Sequence, residues 1–132
     1  MRHKQPQRIV LVAETDTAAR ATHRQALAGA DYVVFAADNG ADVLCKAAEV
    51  MPDLIVLDVE LSQPSGAHVC HELVSRPDTR TIPLVLLISD LRDMEPTRLG
   101  YFLEKPVPPE VLLAVVRRTI RRARLRSTSR VH

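Results

Sequence analysis

Tryptophan is absent, and two Phe with two Tyr bring the aromatic share of the sequence to only 3%. A surface that stacks single-stranded bases needs a series of aromatic platforms, so that class of function is set aside. No uninterrupted apolar stretch approaches the roughly 18–20 residues of a membrane helix. The opening residues Met1-Arg2-His3-Lys4-Gln5-Pro6 carry charge with no apolar segment behind it, so no secretory signal is expected. Glycine is scarce, at four residues, and none of them builds a phosphate-cradling loop of either nucleotide-binding type. The two cysteines, Cys45 and Cys70, fall in expected helices without metal-ligand spacing. They read as free thiols in a reducing cytoplasm. The expectation is a soluble cytoplasmic chain with no membrane partner.

What remains is ordinary globular material. At 132 residues, 46% apolar and 26% charged, the chain is long enough for one domain with a real core and too short for two. Its formal net charge of +2 conceals a polarised distribution. Residues 117–132 hold seven arginines and no acid, while residues 9–116 hold eight basic and all sixteen acidic residues, a net of −8. The acidic body repels nucleic acid, and only the C-terminal stretch could touch anions. Nucleic-acid binding through residues 117–130 is accordingly the weakest functional reading.

Five short apolar runs, at 9–12, 32–36, 54–57, 84–88 and 101–103, are mostly continuous and rich in Val, Ile and Leu. That is the pattern of parallel strands covered on both faces. Helical segments fall between them. Asp16 or Thr17 caps the first, which stops at Gly29. Asn39-Gly40 opens the second, which ends before Met51-Pro52. The third is 66–75, closed by Arg76-Pro77. Pro108-Pro109-Glu110 starts the last, with Val111, Leu112, Val115, Val116 and Ile120 at helical spacing. Alternating strands and helices predict an α/β fold, a doubly wound parallel sheet with right-handed crossovers. Such sheets carry their sites at the carboxyl ends of the strands.

The residues at those ends are Glu14 and Asp16 after the first strand, Asp58 and Glu60 after the third, Ser89 and Asp90 after the fourth, and Glu104-Lys105-Pro106 after the fifth. Carboxylates gathered beside a lysine suit a hard cation and a phosphoryl group, since oxygen ligands hold Mg²⁺ and an ammonium neutralises phosphate charge.

Three stretches in order resemble the receiver domain of two-component response regulators. They are Pro52-Asp53-Leu54-Ile55-Val56-Leu57-Asp58 followed by Pro64-Ser65-Gly66, then Phe102-Leu103-Glu104-Lys105-Pro106, and Ile9-Val10-Leu11-Val12 followed by Glu14 and Arg20. The likeness implies a flavodoxin-like five-stranded sheet of order 2-1-3-4-5, with a receiver domain at 8–122 and a basic extension or linker at 123–132. It implies that Asp58 is the phosphoacceptor, that Lys105 holds the phosphoryl oxygens through a cis Lys105–Pro106 bond, and that Mg²⁺ is held by Glu14, Asp58 and Glu60, the last through its backbone carbonyl. The implied partners are a histidine kinase or phosphotransfer protein and a downstream protein, which makes the chain a signalling module and not an enzyme.

Three departures from the family pattern stand out. The family places two adjacent acids after the first strand, where this chain is read as Ala13-Glu14, with Glu60 a candidate to replace the missing charge. The family's switch hydroxyl falls on Ile88, and Ser89 one residue later should face the opposite side of the sheet unless a bulge intervenes. Phe102 holds the place of the switch aromatic. The fourth helix is shortened to residues 93–99 and interrupted by Pro96, so an irregular turn is expected there. Two functions compete on this reading: a phosphoacceptor switch, and a degenerate receiver that binds a protein partner without phosphorylation.

Overall fold

The five apolar runs form five parallel strands in the computed structural model of the chain, which describes residues 7–93 and 100–129. They are β1 (Ile9–Ala13), β2 (Val33–Ala37), β3 (Leu54–Asp58), β4 (Leu84–Ile88) and β5 (Gly100–Glu104), in the sheet order β2-β1-β3-β4-β5. The helices are α1 (Thr17–Gly29), α2 (Gly40–Val50), α3 (Gly66–Ser75) and α4 (Pro109–Ser129). Three begin on a side-chain cap: Asp16 accepts from the Ala19 amide at 2.8 Å, Asn39 from Asp42 at 2.9 Å and Ser65 from His68 at 3.1 Å. Each cap satisfies an amide that has no partner inside its helix.

Side-chain alternation along the strands sorts the core into two layers. Val10, Val12, Leu54, Val56, Val85 and Leu87 face α1 and α4, meeting Leu27, Leu112, Val116 and Ile120. Leu11, Ala13, Ile55, Leu57, Leu84 and Leu86 face α2 and α3, meeting Val43, Ala47, Val69 and Leu73. The inner strands β3 and β4 are buried along their whole length. This is why their sequences run continuously apolar instead of alternating.

The structure differs from the sequence reading at one strand end. β1 runs one residue further than expected, through Ala13, which packs into the α2/α3 layer. In place of a regular fourth helix the described residues hold a short 3-10 turn, Leu91–Asp93, in keeping with the irregular turn expected there. Pro96 and the rest of the expected helix, residues 94–99, lie outside the described residues. The last helix runs without a break to Ser129 and carries the arginines after residue 116 as its extension.

Strand register brings the functional edge together. Ala13 pairs with Leu57, Asp58 with Leu87, and Ile88 with Glu104, so the residues leaving β1, β3, β4 and β5 emerge at one rim. Gly66 sets the entry of α3 against that rim. A β-carbon on it would lie 2.5 Å from the Asp58 carbonyl oxygen and 2.6 Å from Val59 backbone atoms. Only a residue without a side chain fits against rigid backbone at that distance.

A buried polar clamp ties α1 to the loop after β5. His23, 3% exposed, meets the carboxylate of Glu14, 2% exposed, at 2.6 Å through Nδ1. Its Nε2 meets the Val107 carbonyl oxygen at 2.7 Å. A carbonyl only accepts, so Nε2 carries a proton, and a second proton lies in the short contact with Glu14. Burial works against the imidazolium, but the Glu14 and Val107 acceptors outweigh it and raise the His23 pKa above 6.5. A group whose folded pKa is raised stabilises the fold fully below its unfolded value, and the contribution is lost as pH rises through the folded value.

Two predictions follow from these contacts. Replacing His23→Leu should cost about 3–5 kcal/mol in urea unfolding, because a buried carboxylate is left unpaired. Adding Glu14→Leu should recover much of that loss, and a further loss in the double variant would contradict the clamp. The stability gap between wild type and His23→Leu should narrow as pH rises above about 6.5. Separately, Gly66→Ala should destabilise by about 1–3 kcal/mol through the forced shift of α3, and a neutral result would show that α3 is free to move.

Candidate functional site

Asp58 closes β3 with its side chain at the rim, 1% exposed. A carboxylate so removed from water must be supplied with donors or give up its charge. Five contacts supply them. Oδ1 accepts the Glu60 amide at 2.9 Å and the Lys105 ammonium at 3.0 Å. Oδ2 accepts the Thr15 hydroxyl at 2.9 Å, the Thr15 amide at 3.3 Å and the same ammonium at 3.1 Å. Burial alone would push the Asp58 pKa up. The Glu60 amide, Lys105 and Thr15 outweigh burial and hold it below 3.8. Asp58 is therefore an anion throughout the neutral range, buried yet ready to act as a nucleophile.

Lys105 reaches Asp58 from the far side of β4. Its amide donates to the Ile88 carbonyl at 2.7 Å, which continues the β4–β5 ladder past the last strand residue, and the Lys105–Pro106 bond is cis. Its ammonium also lies 3.5 Å from the Glu60 carboxylate. Glu60 is exposed, and its carboxylate additionally accepts the Ser89 hydroxyl. Ser89 thus joins the rim through Glu60 rather than through Asp58, while Ile88 is buried at the end of β4. Phe102 is half-buried and packs into the α2/α3 layer. Its neighbour Tyr101 accepts a hydrogen bond from Arg122 at 2.6 Å, tying β5 to α4.

The residues after β1 sit differently from the sequence expectation. β1 extends through Ala13, and the residues that leave it are Glu14 and Thr15. Alternation along the strand sends Glu14 to the α1/α4 side with Val10 and Val12, and Thr15 to the other. Thr15 turns to Asp58, and Glu14 turns inward to His23. Arg20 closes the turn by donating to the Glu14 carbonyl at 2.8 Å. Among the described residues no three acidic, histidine or cysteine side chains form a group that could hold a metal ion. The Glu14 carboxylate turns to His23, and the Asp58 carboxylate is held by Lys105, Thr15 and the Glu60 amide. Sequence reasoning missed Thr15 and His23. The last turn of β1 offered the only signal, and it depended on placing the strand end to within one residue.

The geometry converges with known proteins. The response regulator receiver domain family matches residues 10–117. The response regulator MprA of Mycobacterium ulcerans is 33% identical over 123 residues, covering 88% of this chain and 51% of that protein. MprA of Mycobacterium avium is 33% identical over 122 residues, covering 87% and 52%. The chain thus spans about half the length of the curated relatives it matches. Among solved structures, the chemotaxis response regulator CheY4 of Vibrio cholerae has a TM-score of 0.79 at 24% identity, covering 86% of this chain and 99% of that one. A signal receiver domain of a histidine kinase from Syntrophus aciditrophicus has a TM-score of 0.76 at 29% identity, covering 86% and 90%. The order of the sheet, the buried aspartate on its third strand, the lysine reaching it from the fifth and the family match over most of the chain lead to one conclusion: this chain belongs to the response regulator receiver domain family of two-component signalling.

Proposed function

We propose that Asp58 is the phosphoacceptor of this receiver and that Lys105 is the residue that carries the charge of the incoming phosphoryl group. The observation behind this reading is the pair itself: an anionic carboxylate, almost wholly buried, with one ammonium shared between both of its oxygens. Oδ1 is pinned by a backbone amide. Oδ2 has the longer backbone contact, 3.3 Å to the Thr15 amide against 2.9 Å from the Glu60 amide to Oδ1, with a hydroxyl that rotates beside it, so Oδ2 is taken as the attacking oxygen.

In the transfer, Oδ2 forms a bond to the phosphorus of a donor in line with the leaving group. With a phosphohistidine donor the phosphorus–nitrogen bond breaks, and the imidazole nitrogen keeps the electron pair. The donor is then the phosphohistidine of a kinase or phosphotransfer protein. Lys105 follows the phosphoryl oxygens as the negative charge moves away from Asp58. Ser89 and Glu60 stand on the same side of Lys105 and feel that movement, as does β5 through the Lys105 backbone. From there a downstream protein partner would read the change. This role is signalling and places the chain in the cytoplasm. Among the described residues no helix is long and apolar enough to cross a membrane.

Magnesium at the phosphorylation site is standard in the family, and the sequence resemblance implied Glu14, Asp58 and Glu60 as its ligands. The two side chains of that set fit it poorly, since the Glu14 carboxylate is buried against His23 and the Asp58 carboxylate already accepts from Lys105 and Thr15. The steps above rest on the chain's own groups.

Incubation with a small-molecule phosphodonor should add one phosphoryl group by intact mass, and Asp58→Asn should abolish the gain. A folded wild type that gains no mass from phosphodonor or phosphohistidine donor would overturn the reading in favour of a phosphorylation-independent interaction module. Lys105→Met should leave the protein able to fold while slowing the mass gain by about 10²–10³-fold, the range seen when one stabiliser of developing charge is removed. An unchanged rate would remove Lys105 from the chemistry.

A further inference from the structure

We propose that this receiver has replaced the divalent cation beside its acceptor carboxylate with donors of its own chain, and that Thr15 is the residue that decides it. The idea rests on Asp58 being the acceptor site, and it concerns what that site binds before any phosphoryl group arrives.

Three observations point the same way. The first is the commitment of Glu14. Its carboxylate is buried with His23, which holds one proton against the Val107 carbonyl and shares another with Glu14. The pair is a neutral unit inside the fold, and its charge is not offered to the rim. Turning Glu14 outward would break the Nδ1 contact and leave His23 buried without its acid.

The second is Thr15. It stands on the rim where the other member of the pair after β1 emerges, and its hydroxyl donates to Asp58 Oδ2 at 2.9 Å. An acid in that place would repel Asp58, and the two charges together would favour a dication between them. A threonine does the reverse. It supplies a proton to the carboxylate and removes one negative charge from the place where the cation would sit.

The third is the charge balance of what remains. Asp58 and Glu60 are the acids beside Lys105, whose ammonium lies 3.0 and 3.1 Å from Asp58 and 3.5 Å from Glu60. One lysine is shared by two carboxylates, and the Ser89 hydroxyl donates to the second of them. A hard cation that loses its water reluctantly would have to displace a hydroxyl from Asp58 and share the field of an ammonium already in contact with it.

The test is a cation titration of the unphosphorylated full chain with Mn²⁺ as a paramagnetic stand-in for Mg²⁺, read from broadening of the Thr15 and Glu60 amide resonances. Wild type should show no saturable broadening at millimolar Mn²⁺. Thr15→Asp should create a site about 10–100-fold tighter, abolished by adding Asp58→Asn. Thermal unfolding gives a second readout. At constant ionic strength Mg²⁺ should leave the wild-type Tm unchanged and raise that of Thr15→Asp, which pairs two acids in the absence of metal. Saturable wild-type binding in the range of Thr15→Asp, lost in Asp58→Asn, overturns the proposal. If Thr15→Asp does not fold, the wild-type titration alone still decides. The assay does not involve phosphorylation, so its outcome and that of the mass experiment can fail independently.

Discussion

The contact on which the rest of this structure depends is the one between Lys105 and Asp58. A carboxylate buried to this degree loses several kcal/mol of hydration, and only well-placed donors restore it. None of those donors is local to β3 except the Glu60 amide. Lys105 arrives from β5 and Thr15 from β1, so the charge of one residue is maintained by the assembly of the whole sheet. The order β2-β1-β3-β4-β5 places β3 at the centre. It leaves β3 flanked by β1, whose following loop supplies Thr15, and by β4, with β5 and Lys105 one strand beyond. Anything that alters the covalent state of Asp58 therefore acts on three loops at once, which is the physical basis of a switch.

The two residues that follow β1 divide the work between core and rim. Glu14 goes inward, where it forms the buried pair with His23 and fastens α1 to the segment that carries Lys105. Thr15 goes outward, where it serves Asp58. The inward contact holds the Lys105–Val107 segment in place by way of the Val107 carbonyl, so a residue with no contact to the acceptor still bears on its lysine. The place of a fourth helix is different again. The described residues resume a regular element at β5, after the turn Leu91–Asp93, and the Arg122–Tyr101 contact joins β5 to the last helix.

Much of this was legible before any coordinates. The continuous apolar runs at 54–57 and 84–88 announce strands covered on both faces, and β3 and β4 are those strands. Ser65 before Gly66, and Asn39 before Gly40, mark helix starts by a mechanism, and both are caps. Asp58 and Lys105 were brought together from residues far apart in sequence because both follow strands of a parallel sheet. What was not legible depended on phase. Alternation carried through Ala13 sends Glu14 to the α1/α4 side with Val10 and Val12, whereas a chain that turned after Val12 would not hold that alternation. No apolar pattern distinguishes the two, because alanine is compatible with either. The partner of Glu14 was hidden for a different reason: His23 lies nine residues on, and its second acceptor is a backbone carbonyl with no sequence signature. Ser89 was expected on the far face by alternation, but beyond the last strand residue that alternation no longer binds, and its hydroxyl meets Glu60.

The account centres on Asp58 as the single acceptor among several acids that crowd one rim. The most direct measurement is chemical mapping: phosphorylate the chain, reduce the acyl phosphate with borohydride, digest, and sequence the peptides by mass spectrometry. The account predicts reduction to homoserine at position 58 and at no other acid. Reduction at Glu60, Asp90 or Glu104 in place of 58 would contradict it, and would move the acceptor to the exposed side of Lys105.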